Sequence, residues 1–283
     1  LEFDIWGYDN TIRNFISCTR GKVFFVKYKC MKVYQTNFGQ LRYHDLSGSL
    51  IPILFIHGLG CCGSMDYPTV ASGSIQAHRR IIPDLLGSGF SDYSDDFPYT
   101  IESHASLLKS FVEDLQLEEL VIYGHSMGGA IAIKLAEKLD KKVKLLLLSE
   151  ANLDNGGGFF SKKIANYSYE DFIKFGHEEV IRENIQNNNR LWAKSLSLTN
   201  PTAIFKESLS LVEGQFPTWR EILYKLPTTK VFIFGEQSLP DPDWERLQTE
   251  HIEVKVIPNA GHSMAWENPQ GLSDVIYQSI VGR

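Results

Sequence analysis

Short apolar runs alternate with segments of helical period along most of this chain, and that alternation constrains the fold more than any other feature. "IPILFI", "RRIIP", "ELVIY", "KVKLLLLS", "KVFIFG" and "IEVKVIP" have the length of strands, not helices. "SMGGAIAIKLAEKL", the stretch from Ile101 to Leu115, "PDWERLQTE" and the stretch from about Pro269 to Ile280 read as helices. "MKVYQT" and "QLRYHD" flank Asn37-Phe38-Gly39 and predict a hairpin. Apolar runs without alternation indicate strands buried on both faces. Strands that take turns with helices predict an α/β fold with a mostly parallel sheet.

The alternation stops between Ala151 and Leu226. That stretch opens with "NLDNGGGFF", is rich in Asn, Ser and aromatic residues, and holds no buried-strand run. It reads as a helical insertion, 151–226, which splits a core into 31–150 and 227–283. Residues 1–30 read as an N-terminal extension, although 22–29 can also supply an extra edge strand. The chain opens on Leu1, which reads as a processed or partial start, and "CTRGKVFFVKYKC" lacks the apolar core and cleavage site of a secretory signal. At 283 residues, one large domain with an insertion is the expected size.

Charge and cysteine usage narrow the partners. The formal net charge is -6 and no basic stripe appears, which argues against nucleic acid. No apolar run is long enough to span a bilayer. The four cysteines show no zinc-ligand spacing, and Cys61 and Cys62 are adjacent. Neither a disulfide framework nor a structural metal site is suggested. A reducing, cytoplasmic location fits that usage.

The chemistry centres on "VIYGHSMGGAIAIKL", residues 121–135. Gly124-His125-Ser126-Met127-Gly128 fits Gly-x-Ser-x-Gly at a strand-to-helix turn, which lifts the Ser126 hydroxyl above the sheet edge. A hydroxyl is a weak nucleophile and needs a base. Of eight histidines, His262 is the candidate, because "IPNAGHSMAWENP" places it after the last strand and the Ser-to-His order fits. The His125 side chain is expected to point away, and His57 to fix a loop. His44, His78, His104, His177 and His251 read as surface or structural. The oxyanion donors expected are the backbone N–H groups of Leu59, in "FIHGLG", and of Met127.

With "HGLG", "PDLLGSGFSD", "GHSMGG" and "AGHSMAWENP" in this order and spacing, the chain resembles the α/β-hydrolase family from Met31 onward, outside the insertion. The resemblance implies a mostly parallel eight-stranded sheet, a helical cap after the sixth strand at 151–226, and hydrolysis without a cofactor. It also makes "GSGFSD" a structural loop in which Asp84 and Ser91 make hydrogen bonds. As a dinucleotide fingerprint that loop lacks its third glycine.

One position departs from the family pattern. The acid that orients the histidine usually lies after the seventh strand, and here that place holds Ser238, in "VFIFGEQSLPDPD". Asp241 and Asp243 lie close by. Some members take the acid from the end of the sixth strand, which here is Glu150. Glu150 is the preferred acid, with Asp241 second and Asp154 third. Serine, not aspartate, at the elbow favours an acyl-enzyme route. The expected activity is hydrolysis of a carboxylic ester with a small or medium apolar acyl group. Same-fold alternatives are an aminopeptidase, with Glu170, Asp171, Glu178 and Glu179 as candidate amine holders, or a carbon–carbon bond hydrolase. A ligand receptor without turnover is the alternative from another class. Phe159, Phe160, Tyr167, Phe172, Trp192 and Trp219 line a substrate pocket or form the insertion's own core.

Overall fold

The structure is a computed structural model that describes residues 14–19, 22–27 and 31–282. Strands β1 (Asn14–Thr19) and β2 (Lys22–Lys27) pair antiparallel with each other and stay out of the main sheet. The extra edge strand allowed for residues 22–29 is therefore a strand, but not an edge of that sheet. The rest of the 1–30 segment lies outside the described residues.

The main sheet has eight strands: β3 (Lys32–Thr36), β4 (Gly39–Leu46), β5 (Leu50–Ile56), β6 (His78–Pro83), β7 (Leu120–His125), β8 (Val143–Ser149), β9 (Thr229–Gly235) and β10 (Glu253–Ile257). Their order is β10-β9-β8-β7-β5-β6-β4-β3. Every pairing from β10 to β6 is parallel, and β4 runs antiparallel to both β6 and β3. The central strands are covered on both sides. Leu54, Ile56, Ile122, Leu146 and Phe232 pack into one core, and Ile53, Phe55, Val121, Leu145 and Ile233 into the other. Two-sided burial is why these strands read as unbroken apolar runs.

Ahead of β6 come two single-turn helices, α1 (Gly63–Asp66) and α2 (Pro68–Ala71). Helices α3 (Ile101–Asp114) and α4 (Met127–Leu139) pack against each other beside the sheet. Thr100 starts α3 by accepting the Ser103 N–H, a cap whose loss costs about 1 kcal/mol. Between β8 and β9 the chain forms α5 (Phe159–Ala165), α6 (Tyr169–Asp171), α7 (His177–Gln186), α8 (Arg190–Leu196), α9 (Pro201–Glu213) and α10 (Trp219–Lys225). None of these residues joins the main sheet. Helices α11 (Asp243–Thr249), α12 (Met264–Glu267) and α13 (Pro269–Val281) complete the order. No helix among the described residues is long and apolar enough to cross a membrane.

Candidate active site

The carboxyl ends of β5, β7, β8, β9 and β10 point to one edge, where ligands of open α/β sheets bind. β7 ends at His125 and α4 begins at Met127, leaving Ser126 in the turn with φ 53° and ψ -119°. A residue with a side chain rarely adopts that backbone, so its surroundings must hold it there. The Ser126 N–H donates to the Ser149 carbonyl at 3.0 Å, and its own carbonyl accepts from Gly129 and Asn152 at 2.9 and 3.1 Å. The flanking glycines are steric requirements. A Cβ on Gly124 would stand 2.5 Å from the Gly128 carbonyl oxygen, and one on Gly128 2.3 Å from that of Ile56.

Glu150 follows the next strand, β8, also at positive φ (40°). Its N–H donates to the Ile233 carbonyl at 3.1 Å. Its carboxylate reaches across to the loop after β10, where Oε2 lies 2.7 Å from Nδ1 of His262. Oε1 accepts the Gly235 N–H at 3.0 Å. Burial alone would raise the Glu150 pKa. The hydrogen bond and charge of His262, with Ser238 and Gly235, outweigh it and hold the carboxyl below its usual range. A carboxylate accepts the Nδ1 proton, which leaves Nε2 of the neutral ring as an acceptor.

The other acids considered from sequence are engaged elsewhere. Asp241 accepts the Asp243 N–H at 2.8 Å. Asp154 and Asp243 share the guanidinium of Arg220. Glu179 accepts the Tyr167 hydroxyl at 2.9 Å, and none of Glu170, Asp171, Glu178 or Glu179 lines the cavity described below.

The histidines separate by role. His57 is fully buried, with Nδ1 2.9 Å from the Gly58 carbonyl and Nε2 accepting the Leu85 N–H at 3.0 Å. Burial lowers its pKa to about 4, so it is a neutral brace between the loop after β5 and the loop after β6. That second loop is built on Asp84, which accepts the N–H groups of Ser64 and Phe90, and on Ser91, which donates to the Asp84 carbonyl. His104 is buried against Glu207 at 3.0 Å. His125 does not turn away as expected. Its ring centroid lies 4.7 Å from that of His262, and Nδ1 is 3.0 Å from the Ser149 hydroxyl. Burial, then the nearby His262 charge, push its pKa down to about 3. The strained turn after β7 breaks strand alternation, so position in the run does not fix where this ring goes.

A cavity of about 440 Å³ opens over these residues. Ser126, His262 and Glu150 border it, with Leu59 and Gly58 from the loop after β5. Met127 is buried at the first position of α4. The insertion contributes Phe159, Phe160, Ser161, Asn189, Trp192 and Leu211. Phe160 stacks on Trp192 with ring centroids 4.1 Å apart, and the Trp192 indole N–H donates to the Leu59 carbonyl at 2.9 Å. Tyr167 lies outside the lining, and Phe172 and Trp219 are buried in the core. The lining also includes Cys61, Asn152 and Asn189, which sequence reasoning did not single out. They sit in loops or at a helix start, where no periodicity marks them. Among the described residues the lining contains no Lys or Arg, and no cluster of three or more His, Cys, Asp or Glu side chains could hold a metal ion.

The model of the alpha/beta hydrolase fold matches residues 51–220. An uncharacterized protein of Mycobacterium bovis is 33% identical over 42% of this chain and 34% of its own length. Lipase 3 of Moraxella sp. is 30% identical over 44% of each chain. The chain thus spans less than half the length of these curated relatives. A thermophilic esterase from Thermogutta terrifontis superposes with a TM-score of 0.70 at 21% identity, covering 89% of this chain and 98% of its own.

Proposed function

The chain belongs to the alpha/beta hydrolase fold family, and from that premise we propose that it is a serine hydrolase that cleaves carboxylic esters of small or medium apolar acyl groups. The observation that carries the reading is the 2.7 Å contact between His262 Nδ1 and Glu150, bordering the same cavity as Ser126. A carboxylate there fixes the imidazole tautomer and stabilises the imidazolium that forms during turnover.

In the proposed reaction Ser126 Oγ bonds to the ester carbonyl carbon while its proton passes to His262 Nε2. The carbonyl electron pair moves onto oxygen, held by the Leu59 and Met127 N–H groups. Collapse breaks the carbon–oxygen bond to the alcohol, which takes the proton from His262. Water, deprotonated by the same nitrogen, then releases the acid and restores Ser126. Residues 151–226 act as a cap that shapes specificity, with Phe160 and Trp192 as apolar walls.

The lining argues against two same-fold alternatives. An aminopeptidase needs a carboxylate for the substrate amine, and the only one bordering the cavity among the described residues is Glu150, which is bonded to His262. A substrate bearing its own carboxylate would find no Lys or Arg there. A panel of p-nitrophenyl esters with increasing acyl length tests the reading. The expected result is turnover that peaks at short or medium chains. Absence of turnover across the panel, with ligand binding intact, would favour a receptor instead.

A further inference from the structure

Leu59, the proposed oxyanion donor, sits in a loop whose direction is imposed by its neighbours. Its N–H belongs to the peptide that joins it to Gly58, in which the N–H and the carbonyl point opposite ways. The Gly58 carbonyl accepts the Cys61 N–H at 3.2 Å. It also accepts His57 Nδ1–H at 2.9 Å, since His57 Nε2 takes the Leu85 N–H and leaves the ring proton on Nδ1. Those two bonds draw the carbonyl into the protein and turn the Leu59 N–H the other way. Gly58 and Leu59 both border the cavity, and among the described residues no backbone carbonyl accepts that N–H. The next peptide is held from the insertion. The Leu59 carbonyl accepts the Trp192 indole N–H at 2.9 Å, and both residues are buried. Parting a buried pair leaves two unpaired polar groups, which resists separation. Contact continues at Gly60, which has φ 65°. A Cβ there would stand 3.1 Å from both the Trp192 ring and the Leu196 side chain. Helix α8 is itself fastened to the core. The Leu198 carbonyl just beyond it accepts the Gly89 N–H at 3.0 Å, and the Asn200 N–H donates to the Gly87 carbonyl at 2.7 Å.

We propose that Trp192 is a positioning residue for the oxyanion site, a role beyond that of an apolar wall and one that rests on the serine-hydrolase reading above. From the insertion, its indole N–H holds the Leu59 carbonyl while His57 and Cys61 hold that of Gly58. A flip of the Gly58–Leu59 peptide needs a compensating rotation at Leu59, and the bond to Trp192 opposes it. The Leu59 N–H therefore stays aimed at the place where charge develops, and no reorganisation is needed during reaction. The indole does not touch the reacting atoms. It acts only through the Leu59 N–H, so it lowers the barrier without tightening the binding of substrate in its ground state.

The test exchanges Trp192 for benzothienylalanine, which keeps the bicyclic ring and its packing but carries sulfur in place of the N–H, with Trp192→Phe as a second variant. Each protein is measured for kcat and KM with p-nitrophenyl butyrate. Each is also measured for inhibition by an alkyl trifluoromethyl ketone, whose adduct with Ser126 places an oxyanion in the site, and by the matching alcohol, which cannot form that adduct. Misdirecting one donor costs less than removing it, so kcat should fall by about 10- to 100-fold. KM should stay within about twofold. The ketone should weaken by the same factor as kcat/KM, because its adduct resembles the transition state, while the alcohol binds as before. Unchanged kcat and ketone affinity in the isostere would overturn the proposal. So would an equal loss for ketone and alcohol, or earlier melting with the wild-type ratio of the two affinities, since either marks Trp192 as packing alone. Failure of the underlying reading looks different. The wild type would then bind ketone no more tightly than alcohol, Ser126→Ala would turn over ester at the wild-type rate, and the proposal would fall with the reading.

Discussion

At the residue scale the deciding feature is which acid serves His262. Glu150 stands at positive φ, with its N–H tied to Ile233 and both carboxylate oxygens occupied by His262 and Gly235. Asp241 is committed to the N–H of Asp243. Glu150→Gln should therefore lower kcat by up to about 10⁴ while leaving the protein folded, since the histidine can then settle in the wrong tautomer. Asp241→Asn should stay near wild type. The comparison is made with one ester and circular dichroism on both variants, and a dead Asp241→Asn beside a working Glu150→Gln would return the acid to the seventh-strand loop. Ser126 and His262 stand out as candidates in the sequence because glycines flank the one and chain order frames the other. Glu150 was a candidate because Ser238 occupies the usual acid position. Ser238 instead favours the charged form of Glu150, a relation that only folding creates. The His125 ring was misplaced because a φ of 53° at its neighbour breaks the alternation a strand would impose.

At the scale of elements, the strands and long helices were legible, because burial on two faces and helical period leave strong patterns. The cavity lining was less so. Cys61, Asn152 and Asn189 reach it from loops or a helix start, and of the six aromatic candidates named in the insertion, Phe159, Phe160 and Trp192 line it while Phe172 and Trp219 pack inside the core. Helix α8 bears on the site most directly, because Trp192 both stacks on Phe160 and bonds the Leu59 carbonyl. Trp192→Phe should keep the stack and lose the bond, and Trp192→Ala should lose both. The expected outcome is a shift toward longer acyl chains in Trp192→Ala alone, as the pocket enlarges, with kcat reduced in both variants. Measuring kcat/KM across the ester series separates the two effects. An unchanged chain-length preference in Trp192→Ala would remove Trp192 from the acyl pocket. Away from the site, the buried His104–Glu207 pair fastens α9 to α3 at 3.0 Å.

At the scale of the whole molecule, the parallel part of the sheet brings residues distant in sequence to one edge. Ser126 and Glu150 leave neighbouring strands, and His262 arrives from the loop after β10, 112 positions beyond Glu150. The inserted helices lie over that edge and supply the aromatic side of the cavity. Chemistry from the sheet and selectivity from the insertion are the division we propose. The central claim is that Ser126 attacks the substrate, and covalent labelling tests it most directly. After reaction with a fluorophosphonate, peptide mass spectrometry of the native protein should place a single adduct on Ser126, and Ser126→Ala should neither label nor turn over ester. An adduct on another residue, or full esterase activity in Ser126→Ala, would contradict the account.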